Sequence, residues 1–154
     1  MEVTLEVAEK MLEAVERWAS LAGNPCSIAV ADRTGAVLAV HAMDGCEPWT
    51  VDVAINKAFS AVYGGKSTYL LAVKLDPRNY AEELKEGVLT EPYQVGLLTQ
   101  GKGRLIFVPG GYLVNDPDLN IIGAVGVSGF PQSVGMGDIN DMTAAIIGVS
   151  AFYD

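Results

Sequence analysis

Few side chains in this chain could do chemistry, and some of them, Asp44 and Ser128 among them, sit next to glycine. His41 is its single histidine. An imidazole can ligate iron, as Cys, Met or Tyr also can, or it can hydrogen-bond at a sheet surface or a subunit contact. Met43 lies two residues further on, so on a strand the two share a face. Asp44, in Met43-Asp44-Gly45-Cys46, could orient a polar ligand or pair with Lys57; equally, it could close an Asx turn on nearby backbone N–H groups. Lys57 stands among Ala54, Ile55, Ala58 and Phe59. An amine there must be paired or must reach solvent, and its ammonium could hold a ligand carboxylate.

The second group lies in the C-terminal third. Pro109, Gly110 and Gly111 interrupt the apolar run Leu105–Val114, and Ile121–Gly129 follows with Ser128 near its end. Glycine has no Cβ, so a ligand or another chain can approach the main chain there; a β-bulge or strand bend is the alternative. Asp138 and Asp141 have the spacing of a helix cap and an N3 carboxylate, and Asp141 could instead reach a pocket. One histidine and no Ser/His/Asp spacing argue against a hydrolytic triad. Asp116 and Asp118 flank a proline and are too few for a calcium loop. Cys26 and Cys46 lie twenty residues apart without a CxxC pattern, as for reduced thiols. Trp18 and Trp49 suit a core or an interface.

The elements that must position these groups follow from periodicity. Leu5, Ala8, Leu12, Val15, Ala19 and Ala22 predict a helix over 4–22, with Thr4 as cap and Gly23 at its end. Ser27–Ala31 and Ala36–Met43 predict two strands joined by the tight turn Asp32-Arg33-Thr34-Gly35. The second has apolar residues on both faces, so its sheet must be covered twice. Helices are expected over Thr50–Tyr63, with Thr50 as cap, and over Ser67–Leu75, ended by Asp76-Pro77. Ala81–Glu86 has the pattern of a helical turn, and 96–103 reads as loop. Two late strands flank the turn Asn115–Asn120, and a Gly-rich loop leads to a last helix from Asp138 to Ala151. This order implies one α+β domain over 1–154, an antiparallel sheet with helices packed on it.

Taken in order, these blocks resemble one family. Ser27-Ile28-Ala29-Val30-Ala31-Asp32 with Gly35, Met43-Asp44-Gly45, Lys57-Ala58, Pro109-Gly110-Gly111 and Gly123-Ala124-Val125-Gly126-Val127-Ser128-Gly129 look like those of the GlcG/HbpS-like family. That family also supplies the C-terminal domain of PduO-type proteins. The resemblance implies a profilin-like or PAS-like fold, with a five-stranded antiparallel sheet flanked by helices, usually in oligomers. It also implies haem or haem-like binding for some members. The chain departs from the family pattern at Ala42, where a basic residue is usual, at the long turn Asn115–Asn120, and in the loop ending at Asp138-Ile139-Asn140-Asp141.

Composition bounds the function. Of the 154 residues half are hydrophobic and 19% are charged, which favours burial of apolar area between copies and hence a homo-oligomer. A net charge of −9 argues against nucleic acid. No apolar run reaches membrane-spanning length, and the N-terminus lacks a signal-peptide pattern, so a cytoplasmic protein is expected. The expected function is an oligomeric small-molecule-binding protein, with haem or a related tetrapyrrole as the first ligand. Its site would draw on His41, Asp44, Lys57, Pro109, Gly110, Gly111, Ser128 and Asp141, the pocket itself lying between the 109–111 bend, the Asp44 turn, Lys57 and the end of the last strand. The alternative is an enzyme using Lys57, Asp44 and Asp141 on a small carboxylate-bearing metabolite.

Overall fold

A computed structural model describes residues 1–75, 96–97, 99–131 and 140–154. In chain order the elements are α1 (Leu5–Ala22), β1 (Ser27–Asp32), β2 (Val37–Ala42), α2 (Thr50–Gly64), α3 (Thr68–Leu75), β3 (Gly111–Asn115), β4 (Ile121–Ser128) and α4 (Asp141–Tyr153). The strands form one antiparallel sheet in the order β2-β1-β4-β3. Four strands are therefore present among the described residues, not the five expected. Leu105–Val108, apolar enough to read as the start of a strand, runs as irregular chain, and β3 begins only at Gly111.

Alternation along the central strands sorts large side chains from small ones. Ile28 and Val30 of β1 and Val125 and Val127 of β4 face α1 and α4. There they pack with Met11, Leu12, Val15, Ala144, Ala145 and Val149 in the main core. The opposite face is built from Ala31 and Ala124, against Ala58 and Ala61 of α2. Fully burying one Val, Leu or Met contributes about 1.5–3 kcal/mol, against about 0.8 per CH₂. The α1/α4 side thus carries most of the packing energy. The α2 side instead gains proximity: Gly111 and Gly126 are register partners. A Cβ on Gly126 would lie 2.0 Å from the Ala54 carbonyl oxygen, and one on Gly111 2.4 Å from that of Lys57. Glycine is needed at both because helix backbone rests directly on sheet backbone.

Local signals explain most element ends. Thr4 caps α1, its Oγ1 accepting from Val7 N–H, and Gly23 closes it. Asp32 organises the first hairpin by accepting from Thr34 N, Thr34 Oγ1 and Ala36 N. Thr50 does not cap α2; that position is Trp49, and the Thr50 hydroxyl instead donates to Glu47 O and meets Ser27 Oγ at 2.9 Å. α4 starts later than expected, at Asp141, with Asn140 as cap accepting from Thr143 N–H. The stretch 96–103, expected as loop, is helical at 96–97 and 99–100. The expected helical turn Ala81–Glu86 and the cap at Asp138 lie outside the described residues.

Candidate functional site

Lys57 is the largest fully buried side chain among the described residues. α2 carries it to the end of the sheet, where its ammonium donates to Asp141 Oδ2 at 2.8 Å and to Val127 O at 2.9 Å. The other Asp141 oxygen accepts from Phe130 N–H at 2.8 Å. Burial pushes the Lys57 ammonium below its ordinary range, and the Asp141 charge opposes that shift. Burial likewise raises Asp141, against Lys57 and the N–H groups of Phe130 and Gly129. Burial of such a pair is offset where, as here, both groups are also hydrogen-bonded to backbone.

Gly110 belongs to the same knot. Its φ is +130°, and a Cβ there would come within 2.8 Å of Lys57 Nζ, 2.8 Å of Asp141 Cβ and 2.6 Å of Val127 O. Gly111 N–H donates to Thr68 Oγ1. The bare backbone at 110–111 is thus approached by α2, α4 and the Lys57 amine, which fill the space that sequence reasoning assigned to a ligand.

A cleft of about 280 Å³ opens beside this knot. One wall is Ser128-Gly129-Phe130, leaving β4; another is the turn Gly45-Cys46-Glu47; Trp49 and Thr50 stand at the start of α2. Asn24, Pro25 and Asp141 complete the lining. Cys46 Sγ lies 3.3 Å from the buried Ser27 hydroxyl, which also meets Thr50. Trp49 is 62% exposed. Cys26, close by, is different: burial, reinforced by Asp141, pushes its thiol up to about 12.

Of the residues singled out in the sequence, Ser128 and Asp141 line the cleft. Lys57, Gly110 and Asp141 meet behind it, and the carboxylate partner of Lys57 is Asp141, not Asp44. Asp44 is exposed, one residue before the cleft wall. Pro109 is half-buried and outside the lining. His41 lies elsewhere: its register partner is Ile28, which packs in the α1/α4 core. Both ring nitrogens of His41 sit 2.9 Å from carboxylates of α1, Nε2 from Glu9 and Nδ1 from Glu16. Both ring nitrogens are thus already occupied by carboxylates of α1, away from the cleft. Sequence reasoning missed Cys46, Trp49 and Thr50 as cleft residues. Their adjacency to Met43-Asp44-Gly45 was the available signal, since a turn that places Asp44 also places the next few residues of the chain.

These features define an α+β protein with one antiparallel sheet, a cleft at the sheet's end and a buried ion pair behind it. The model of the family described as haem degrading protein HbpS-like matches residues 3–149, and the chain belongs to that family. The crystal structure of Klebsiella pneumoniae protein ORFY superposes with a TM-score of 0.78 at 28% identity, covering 99% of this chain and 92% of that one. A double mutant of Streptomyces reticuli HbpS gives 0.73 at 30% identity, over 97% and 86% of the two chains. A PduOC:heme complex gives 0.77 at 20% identity, over 98% and 95%, a likeness of fold.

Proposed function

We propose that this protein binds a small molecule in the cleft at the end of the sheet, and that haem or a related tetrapyrrole is that ligand. The observation that carries the reading is the cleft itself, lined by Thr50, Ser128, the free cysteine Cys46 and the exposed Trp49. Membership of a family described by haem degradation supports it, as does the fold shared with a protein seen in complex with haem. At about 280 Å³ the cleft is just below the roughly 300–1,000 Å³ usual for small-molecule pockets. It would receive one edge of a macrocycle.

The donor set fits such an edge. Cys46 is the cleft residue able to face iron, with the Ser27 hydroxyl next to its sulfur, and Trp49 offers an aromatic face for stacking. A bound haem would supply iron redox chemistry; the chain's own part is to hold and orient it. Nothing in the arrangement favours acid–base catalysis by Lys57, whose ammonium is shut away from the cleft behind Asp141.

Hemin titration followed in the Soret region tests this. The protein should shift the band. Trp49→Ala and Cys46→Ser should each weaken binding about tenfold, equivalent to about 1.4 kcal/mol, whereas His41→Ala should leave the titration unchanged. No shift with the parent protein removes the haem reading, and a His41-dependent shift places the site on the other face of the sheet.

A further inference from the structure

The buried Lys57–Asp141 pair is poorly explained by stability alone. Exposures of 1% and 6% for the two side chains mean that both charges have been stripped of water. Replacing such pairs with uncharged groups is often neutral or stabilising. Yet the surroundings are fitted to it. Gly110 leaves out the Cβ that would collide with the ammonium and with Asp141, while its carbonyl accepts from Val127 N–H at 2.8 Å. Val127 in turn gives its own carbonyl to Lys57, one residue before Ser128.

What the pair holds in place is the cleft wall. Asp141 grips Phe130 N–H with the oxygen that Lys57 does not use, and Lys57 grips the end of β4. Ser128, Gly129, Phe130 and Asp141, which all line the cleft, are therefore tethered to one ammonium group.

We infer that Lys57 and Gly110 are positioning residues for the cleft: Lys57 sets the Asp141 carboxylate and the 128–130 wall, and Gly110 makes the room that this requires. The inference rests on the cleft being the ligand site, and neither residue touches the ligand.

Three variants test it: Lys57→Met, Gly110→Ala, and the double variant Lys57→Met/Asp141→Asn. The double variant removes both charges but keeps an oxygen for Phe130 N–H, so it escapes the unpaired buried carboxylate that threatens the folding of Lys57→Met. Two readouts are taken on each variant that unfolds cooperatively: hemin affinity, and the alkylation rate of Cys46 in the cleft wall. The expected result is hemin binding about tenfold weaker, equivalent to about 1.4 kcal/mol. Cys46 should alkylate at a clearly changed rate, even where the double variant regains the parent's unfolding midpoint. A well-folded double variant with the parent's Cys46 rate and hemin affinity would overturn the inference, leaving the pair a stability element only. If the parent binds no hemin but the Cys46 rate still moves, the ligand reading fails and the positioning role stands.

Discussion

At the scale of single residues, environment separates groups that the sequence presents alike. Cys26 and Cys46 are both free thiols. Cys26 is buried beneath the sheet end and its thiol is raised to about 12, so the reactive thiolate is scarce at neutral pH. Cys46 is half-buried in the cleft wall. A thiol reagent added to native protein should therefore titrate one cysteine quickly, and the second only after denaturation. Mass mapping of the modified peptide should identify Cys46; rapid labelling of Cys26 would contradict the burial. His41 and Lys57 teach the same lesson. Each is the kind of side chain that ligands attract, and each is already engaged, one by two glutamates of α1 and the other by Asp141 and Val127. Residue type showed that Lys57 needed a partner, but not which carboxylate, because Asp141 is 84 residues away in the chain.

At the scale of elements, the decisive contact is α2 on β3 and β4. It depends on Gly111 and Gly126 facing each other across the register. Gly126→Ala would place a methyl 2.0 Å from Ala54 O and 2.7 Å from Ala58 N, both backbone atoms that cannot rotate away. The helix must then lift as a body, at a cost of about 3 kcal/mol or more, the upper end of overpacking effects. Chemical unfolding of Gly126→Ala should show that loss; stability within about 0.5 kcal/mol of the parent, the size of a neutral surface change, would mean that α2 does not rest on β4 as described. Much of this level was legible beforehand. The spacing in α1, the first hairpin and the run Ile121–Ser128 are local signals, and their elements lie within a residue or two of the expected positions. Less legible were Leu105–Val108, apolar yet not a strand, and the start of α4 at Asp141, which Asn140 caps. Which of several Asx residues caps a helix depends on how the preceding chain arrives.

At the scale of the whole molecule, among the described residues the sheet ends in two edge strands, β2 and β3, and large apolar side chains are exposed, among them Leu70 at 49% and Tyr63 at 43%. An open edge and uncovered apolar area both favour association with a second copy. Light scattering is therefore expected to give a mass that is a multiple of 16.3 kDa at micromolar concentration; a strictly monomeric solution would leave these surfaces without that explanation. No helix among the described residues is long and apolar enough to cross a membrane. By itself the sequence determined the α+β class, the helix and strand periods, and which positions must lack a side chain, because these rest on neighbours within a few residues. Only the tertiary structure decided what fills the space beside those glycines. That is the backbone of α2 and a buried ion pair, with the cleft displaced to the far side of Asp141, because contacts between distant segments are set by how the layers stack.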